Sequence, residues 1–341
     1  MSTSSRKSRA SGRVTLDDVA LSAGVSRITA SRALRGERSV GADLVARVAA
    51  AAAALGYVPD PAARALASAR SHTVVVLIPL LSNNLFVDLL EAVQRALHAA
   101  RYQVLIGVTH YEAEEEEALL ASYLAYRPAG LLVTGLDRTA RCRDMIARSG
   151  VPCVHLMETS NDPALYCVGF SQVDAGRCMT DHLLQTGRRR IAFAAAQLDP
   201  RVMQRLAGYR EALLAAGCYD PALEWQSVQP SSLALGGQML EQYMARHPDV
   251  DAIFFCNDDL AQGGLLTALR LGIQVPSQLA IAGFNDLAGS DQMWPPLTTI
   301  RTPRVEIGDS AATMLLQLMR GEMVEAHSVD VGWQLVQRQS T

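Results

Sequence analysis

Between residues 26 and 35 of this 341-residue chain, arginines and hydroxyl side chains recur at helical spacing, together with one isoleucine. Arginine recognises guanine edges through paired hydrogen bonds, an apolar tip contacts the thymine methyl group, and hydroxyls bind phosphate oxygens. Ser26 has the position of the helix cap, and the residues at the start or on the outer side of that helix are Arg27, Ile28, Thr29, Ser31, Arg32 and Arg35. This set predicts a recognition helix that binds in the major groove of DNA.

Short helices must position these side chains. Thr15 and Asp18 have the spacing of a capping box at the start of a first helix, and Gly24 supplies a tight turn before Ser26 caps the second helix. A third helix follows over 42–55. A helix, a glycine turn and a second helix also occur in many small all-α domains, which is the alternative to DNA binding.

The charge is distributed unevenly along the chain. Residues 1–70 hold eleven of the 31 Lys and Arg and five of the 34 Asp and Glu, a net charge of +6, and the remainder carries −9. A positive field concentrated in one small unit is expected of a module that binds phosphates. This distribution favours DNA binding.

The rest of the sequence alternates apolar runs with amphipathic segments. The apolar runs predict strands at 73–79, 103–108, 130–134, 153–156, 190–195, 252–256 and 280–284. The amphipathic segments predict helices at 84–100, 112–126, 140–149, 174–185, 204–216, 233–246, 260–271 and 305–319. Such alternation predicts parallel sheets with right-handed crossovers, and the length fits two domains of roughly 130 residues each.

Polar side chains follow three of the predicted strands. Asn83 stands after the first strand and shortly before Phe86, Asn257 and Asp258 follow the sixth strand, and Asn285 follows the seventh. Parallel sheets bind ligands at the carboxyl ends of their strands. These residues are therefore candidates for a small-molecule site.

The N-terminal stretch T-L-D-D-V-A-x-x-A-G-V-S-x-x-T-x-S-R-x-L-x-G, with L-G-Y-x-P about twenty residues later, resembles the lactose-repressor family of bacterial transcription regulators. The resemblance implies a hinge helix at 59–71, in which Leu66 wedges into the minor groove and Ala63 lets two hinge helices approach each other. An ordinary buried leucine is the alternative for Leu66. The chain departs from the family at Asp60 and Pro61, where a polar Asn-Arg pair is usual.

The remaining sequence resembles two-lobed periplasmic sugar-binding proteins through F-C-N-D-D-L-A-Q-G, A-I-A-G-F-N-D and W-P-P-L-T-T-I. By these matches Asn257, Asp258 and Asn285 occupy positions at which members of the family bind the hydroxyl groups of the effector. Arg205 of R-L-A-G-Y matches an arginine that reaches the effector. Arg201 either reaches the effector together with Arg205 or is a solvated surface residue.

Two guanidiniums favour an anionic ligand, since arginine holds a carboxylate with two parallel hydrogen bonds. Three segments, L-I-P-L-L-S-N-N-L-F, V-G-F-S-Q and F-C-N-D-D-L-A-Q-G, look most like the gluconate-repressor branch of the family and its ketogluconate-responsive relatives. This similarity implies gluconate or 2-ketogluconate as the effector.

The predicted architecture is an all-α helix-turn-helix head with a hinge helix, followed by a two-lobed α/β body. We expect the following divisions: a basic arm at 1–13, the head at 14–58, the hinge at 59–71 and the body at 72–341, with lobes near 72–170 and 171–300 and a returning C-terminal segment. The expected partners are palindromic operator DNA, a sugar-acid effector and a second copy of the chain. The alternative is a cytoplasmic sugar-binding or sugar-processing protein whose head has another role.

Other chemistry has little support in the sequence. The six cysteines include no C-x-x-C pair, which indicates buried thiols in a reducing compartment. Phosphate-loop, dinucleotide-binding and nucleophile-elbow motifs do not occur, so we expect no cofactor, no metal and no enzymatic activity. The N-terminus lacks an apolar core segment and no apolar run approaches a membrane span, which predicts a cytoplasmic location.

Overall fold

The structure is a computed structural model that describes residues 14–36, 39–58, 71–81 and 84–341. The chain divides into two compact units, residues 1–70 and residues 71–341. Several predictions fall outside the described residues: the basic arm, the hinge with Asp60, Pro61, Ala63 and Leu66, and Asn83.

The described residues of the first unit form three helices: α1 (Leu16–Ser22), α2 (Arg27–Leu34) and α3 (Ala42–Leu55). The Thr15 hydroxyl accepts a hydrogen bond from the Asp18 amide at 3.3 Å, and Asp18 Oδ2 accepts from the Thr15 amide at 2.8 Å. The predicted capping box is therefore confirmed. Ser26 caps α2 by accepting from the Thr29 amide at 3.1 Å. Small apolar side chains fill the centre: Val19, Ala20, Ala23, Ala30, Ala33, Val48 and Ala52.

The second unit alternates strands and helices. Its strands are β1 (Thr73–Ile78), β2 (Gln103–Val108), β3 (Gly130–Thr134), β4 (Cys153–Leu156), β5 (Tyr166–Gly169), β6 (Ile191–Ala196), β7 (Glu224–Ser227), β8 (Ala252–Phe255), β9 (Ala280–Ala282), β10 (Thr299–Arg301), β11 (Ser328–Asp330) and β12 (Gln334–Val336). Its helices are α4 (Leu85–Ala99), α5 (Ala113–Ala125), α6 (Ala140–Ser149), α7 (Gln172–Gln185), α8 (Pro200–Ala215), α9 (Leu233–Arg246), α10 (Asp258–Leu271) and α11 (Arg304–Arg320).

Two parallel sheets organise this unit, in the strand orders β11-β5-β4-β3-β1-β2 and β7-β6-β8-β9. We call the first sheet and its helices lobe 1, which comprises the described residues of 71–169 together with 304–330. Lobe 2 contains the second sheet and comprises 172–302 together with 334–341. A short antiparallel pair of β10 and β12 belongs to lobe 2. The predicted two-lobed α/β arrangement is confirmed.

The chain passes between the lobes three times, near 170, at 303 and at 331–333. The second passage brings α11 back onto α4 in lobe 1. At Gly308 a Cβ atom would lie 2.7 Å from the Leu89 carbonyl oxygen and 2.8 Å from the Ala92 Cβ atom. Only glycine therefore permits this close approach of the two helices.

Five short strands lie outside the predicted set, namely β5, β7, β10, β11 and β12. Each has three or four residues, and β7, β11 and β12 are only partly buried, so no alternation or continuous apolar run marks them. The predicted start of α8 at residue 204 is wrong. Asp199 caps that helix by accepting from the Arg201 amide at 3.0 Å, and the helix begins at Pro200.

The described residues contain no helix that combines the length and the apolar character needed to cross a bilayer. The same part of the chain places no three His, Cys, Asp or Glu side chains together as a metal site. The six cysteines are free thiols.

Candidate functional site

The outer surface of α2 carries the predicted DNA-binding residues. Ser26, Arg27, Ile28, Arg32 and Arg35 are exposed, and Thr29 and Ser31 are half-buried. Ile28 is 66% exposed, while Ala30 and Ala33 pack into the core of the first unit. The helix therefore has one packed side and one polar side with a single large apolar tip, as direct base recognition requires.

Local contacts fix the start of this helix. Arg27 Nε lies 3.5 Å from Asp17 Oδ1 on α1, with both side chains largely exposed. Ser26 Oγ and Thr29 Oγ1 share a hydrogen bond at 2.8 Å. The start of α2 is therefore well ordered, and the partial positive charge of a helix N-terminus favours a nearby phosphate.

Arg205 on α8 packs against residues of lobe 2, and only 3% of it is exposed. Its Nε donates to Gln172 Oε1 at 2.9 Å, and its Nη1 donates to the Cys256 carbonyl at 2.7 Å and to Asn257 Oδ1 at 2.9 Å. The guanidinium carbon is 3.8 Å from the centre of the Phe284 ring. Burial lowers the pKa of the Arg205 guanidinium. These contacts hold the arginine in one orientation.

Asn257 and Asn285 meet beside Arg205. Asn285 Nδ2 donates to Asn257 Oδ1 at 3.1 Å, and Thr302 Oγ1 donates to Asn285 Oδ1 at 3.1 Å. The backbone φ is 110° at Asn285 and 51° at Asp286, both in the region that favours glycine. Strain of this kind persists only where surrounding contacts hold it, and it concentrates at ligand sites. The structure thus brings Arg205, Asn257 and Asn285 together.

Arg201, one helical turn before Arg205, is buried and is not the solvated surface residue of the alternative interpretation. Its Nη2 lies 3.1 Å from Asp199 Oδ1 in lobe 2. Its Nη1 lies 3.5 Å from Glu158 Oε2 and 3.7 Å from Asp137 Oδ1, both in lobe 1. Within the described residues this Nη1 makes no hydrogen bond. A buried donor is therefore available to an acceptor that enters the cleft.

Glu158 joins the two lobes. Its Oε1 accepts from Gln204 Nε2 in lobe 2 at 2.7 Å, and its Oε2 accepts from the Leu136 amide in lobe 1 at 3.1 Å. Tyr111 lines the same part of the cleft, and burial raises the pKa of its hydroxyl to about 12.

Glu158, Gln204 and Tyr111 are not among the residues predicted from the sequence. Glu158 could have been predicted, since it stands two residues after β4 and parallel sheets bind ligands at the carboxyl ends of their strands. Gln204 lies between Arg201 and Arg205 on α8, where helical spacing alone does not distinguish it from a surface glutamine. Tyr111 follows β2 by three residues and belongs to no motif.

Two predicted effector residues are placed elsewhere. Asp258 is fully buried, and its carboxylate accepts from Thr299 Oγ1 at 2.6 Å, the Leu287 amide at 2.7 Å and Ser290 Oγ at 2.9 Å. Burial raises the pKa of this carboxyl group to about 6. Both oxygens thus serve the packing of lobe 2. Phe86 is buried in the hydrophobic core, because the apolar face of α4 turns it inward.

The cleft is closed in this structure. The cavity beside Arg201 measures about 60 Å³, far below the roughly 300–1,000 Å³ of typical ligand pockets. A six-carbon ligand therefore requires the lobes to separate. A second cavity, of about 500 Å³, opens beside Asp286 and is lined in part by Asp88 and Arg304.

A small helical unit with an exposed basic helix, together with a two-lobed α/β body that has a polar cleft, defines a ligand-responsive DNA-binding regulator. Residues 15–60 match the family model described as bacterial regulatory proteins of the lacI family, and residues 180–341 match a periplasmic binding protein-like domain. The chain belongs to the lacI family, which consists of transcription regulators and not of enzymes.

Similar proteins agree with this assignment. The HTH-type transcriptional regulator GntR of Pseudomonas aeruginosa is 54% identical over 336 residues, which covers 98% of each chain. The crystal structure of transcription regulator GntR from Chromobacterium violaceum has 50% identity and a TM-score of 0.77, and the match covers 79% of this chain and 98% of that one. The lac repressor dimer bound to operator and the anti-inducer ONPF has 26% identity and a TM-score of 0.84, with coverage of 96% and 99%. The predicted family, fold and role as a DNA-binding regulator are confirmed.

Proposed function

We propose that this regulator represses genes of sugar-acid metabolism, binds a palindromic operator as a homodimer in the bacterial cytoplasm, and is released by gluconate or 2-ketogluconate. The observation that carries the effector class is the buried Arg201 Nη1, which has no hydrogen bond within the described residues while carboxylates of both lobes surround its guanidinium.

A polyhydroxy acid matches this mixture of charges. Its carboxylate supplies an acceptor for Arg201 Nη1, with the second guanidinium, Arg205, one helical turn away. Its hydroxyls donate to Asp137 and Glu158, whose carboxylate oxygens accept hydrogen bonds. Asn285 offers an amide to the remaining oxygens. A neutral pentose offers Arg201 Nη1 only hydroxyl oxygens, which are weaker acceptors than a carboxylate, and a small inorganic anion brings no donors for the protein carboxylates.

Similarity to known proteins supports the same class. The relative from Pseudomonas aeruginosa with 54% identity carries the name GntR, and V-G-F-S-Q together with L-I-P-L-L-S-N-N-L-F favours the gluconate-repressor branch.

Calorimetric titration of the full chain tests the effector class. The panel is gluconate, 2-ketogluconate, the neutral six-carbon polyol glucitol, ribose and a purine nucleoside. We expect both sugar acids to bind and glucitol, the matched uncharged control, to bind at least about tenfold more weakly, since one charge-assisted hydrogen bond contributes about 1.5–3 kcal/mol. Tight binding of ribose or the nucleoside without binding of either acid would contradict the proposal.

Release from DNA is measured separately. A palindromic duplex selected from random sequence is titrated with the protein at fixed salt, with and without gluconate, because affinity for DNA depends steeply on salt. We expect gluconate to weaken binding. Tighter binding in its presence would identify a co-repressor instead of an inducer.

Exposed apolar side chains support a homodimer. Leu266 and Leu269 on α10 are 50% and 59% exposed, and Trp294 is 76% exposed. Gln262, on the same face of α10, donates to the Ala288 carbonyl at 3.3 Å and so joins the helix to the segment that carries the tryptophan. Two large exposed apolar side chains on one face of a helix favour a protein interface there.

Lobe 1 has a second apolar edge. Strand β2 forms the border of its sheet, and Leu105 and Ile106 on that strand are more than one-third exposed. An uncovered apolar edge strand favours association. A two-fold dimer that covers both patches also provides two recognition helices for a two-fold operator.

The DNA contacts that we propose follow from α2 and the hinge. Arg27, Ile28 and Arg32 read base edges while Ser26, Thr29, Ser31 and Arg35 position the helix on phosphates. Residues 59–71 form the hinge, in which Leu66 and Ala63 meet the minor groove at the centre of the operator.

A further inference from the structure

Arg304, the first residue of α11, contacts both lobes. Its Nε donates to Asp88 Oδ2 on α4 of lobe 1 at 2.9 Å. Its Nη1 donates to the Asn285 carbonyl, and its Nη2 donates to the Asp286 carbonyl at 3.4 Å, both in lobe 2. We name this set of contacts the Asp88–Arg304–Asn285 bridge.

The two carbonyls belong to the consecutive residues with positive φ, Asn285 and Asp286. The Asp286 carboxylate accepts from Arg301 Nε and from Arg338 Nη2, each at 2.7 Å, so lobe 2 anchors the segment from one side. Arg304 attaches the segment to lobe 1 from the other side. A strained segment keeps its shape only while such contacts persist. Motion of lobe 1 relative to lobe 2 therefore acts on the backbone of Asn285.

We propose that Arg304 is a positioning residue that couples separation of the lobes to the orientation of the effector-binding residue Asn285. The inference rests on the proposed function, in which Asn285 contacts the effector. With the lobes together, Asp88 holds the guanidinium against both carbonyls. When lobe 1 moves away, one end of the bridge breaks and the Asn285 amide is no longer held toward Asn257.

The coupling is reciprocal. An effector that favours one arrangement of the bridge stabilises that arrangement, and the bridge changes effector binding by the same factor. The cavity of about 500 Å³ next to the bridge gives the guanidinium space to leave the carbonyls without a clash. The bridge thus has two sterically accessible arrangements, as a switching element requires.

A matched control exists on the same two helices. Arg95 of α4 and Asp309 of α11 form an exposed ion pair, with Arg95 Nη2 at 3.1 Å from both carboxylate oxygens. Like the bridge, this pair joins α4 to α11, but it touches neither Asn285 nor Asp286. Arg95→Gln therefore removes a comparable ion pair between the helices and leaves the strained segment untouched.

The first measurement needs no effector. Hydrogen exchange is followed by mass spectrometry on the full chain and on the variants Asp88→Asn, Arg304→Gln and Arg95→Gln. The Asn285 amide donates to the Ile300 carbonyl at 2.8 Å and the Asp286 amide to Thr299 Oγ1 at 3.3 Å. We expect exchange in peptides that span these amides to rise about tenfold in the two bridge variants and to stay unchanged in Arg95→Gln.

The second measurement is the ratio of operator affinities without and with saturating gluconate. We expect Asp88→Asn to reduce this ratio by about fivefold or more, the lower end of typical couplings, although Asp88 makes no contact with Asn257, Asn285 or Arg205. Arg95→Gln keeps the wild-type ratio.

Unchanged exchange in both bridge variants, or an equal increase in Arg95→Gln, would overturn the proposal. If Arg304→Gln does not fold, the result for Asp88→Asn decides the test, since this variant keeps the Arg304 guanidinium. If the wild-type chain binds no sugar acid, the proposed function fails, and the exchange experiment still tests the bridge.

Discussion

Arg205 stands over Phe284, with its guanidinium carbon 3.8 Å from the ring centre, while the same guanidinium donates to Asn257 Oδ1 at 2.9 Å. The ring covers one face of the cation, and the hydrogen bonds use its edges. The planar fork of arginine is suited to this arrangement, and the point charge of lysine is not. The geometry of Arg205 therefore matters as much as its charge.

Arg205→Lys tests this requirement. We expect the affinity for gluconate to fall about 10- to 100-fold, because lysine retains the charge but cannot donate to Gln172, Cys256 and Asn257 at once. Calorimetry measures the change. Arg210→Lys is the control, since Arg210 lies on the same helix and pairs with Glu224 away from the cleft. An affinity that stays at the wild-type value would show that charge alone suffices.

Arg201→Gln is expected to reduce the discrimination between gluconate and glucitol. The variant loses the buried Nη1 donor, so gluconate should bind at least about tenfold more weakly while glucitol changes little. Titration of both ligands gives the ratio. Arg177→Gln, in a surface ion pair with Glu211, serves as the control. Equal losses for the two ligands would remove Arg201 from charge recognition and leave it a packing role.

Asp258 predicts a pH dependence of stability. Burial raises the pKa of its carboxyl group from 3.8 to about 6, so the folded state binds this proton more tightly than the unfolded state. This residue therefore lowers the free energy of unfolding as pH rises from about 4 to about 6, by up to about 3 kcal/mol at about 1.4 kcal/mol per pKa unit.

The comparison with Asp258→Asn isolates that contribution. The difference in unfolding free energy, wild type minus variant, should decrease by up to about 3 kcal/mol between pH 4 and pH 7. Urea unfolding across this range measures the difference, and Asp144→Asn on the exposed side of α6 is the control. A difference that is constant with pH would mean that the Asp258 carboxylate is ionised throughout.

Leu66→Ala separates the two components of DNA binding. We expect affinity for the selected palindrome to fall by about 1–3 kcal/mol, the size of a typical loss at one operator position, while the salt-dependent binding to random duplex stays nearly unchanged. Competition binding at several salt concentrations measures both. Leu21→Ala truncates an exposed leucine of α1 and is the control for the loss of a leucine side chain. An equal loss in both components would contradict the wedge assignment.

Leu269→Lys tests the dimer. A lysine in the middle of the α10 patch places a charge in an apolar interface, so we expect the variant to sediment as a monomer and to lose specific operator binding. Leu214→Lys is the control, because Leu214 is equally exposed but lies on α8. Dimers that persist in Leu269→Lys would place the interface elsewhere.

Local signals in the sequence were sufficient for the head. The capping box of Thr15 with Asp18 and the cap at Ser26 depend on residues within one turn, so spacing predicts them directly. The alternation of strands and helices in the body could also be predicted from the sequence. The edge strands β7, β11 and β12 were not predicted, because each has three or four residues and is only partly buried, so no apolar run marks it.

The site could be predicted only in part, because some of its contacts depend on tertiary structure. Arg205, Asn257 and Asn285 lie in recognisable segments, and the structure brings them together. Asp258 stands next to Asn257 in the sequence, but its side chain points into lobe 2, and no pattern specifies that direction. Two of the three acidic partners of Arg201, namely Asp137 and Glu158, come from the other lobe, so only tertiary structure brings them to it.

The three passages of the chain between the lobes have a consequence for synthesis on the ribosome. The border strand β11 of lobe 1 contains residues 328–330, and α11, which covers α4, begins at residue 304. All residues up to 330 must therefore emerge before lobe 1 is complete, and its apolar faces stay exposed during that time. Contacts so distant in sequence also slow folding. We therefore expect a nascent chain of this protein to need chaperones more than a chain whose lobes are continuous segments.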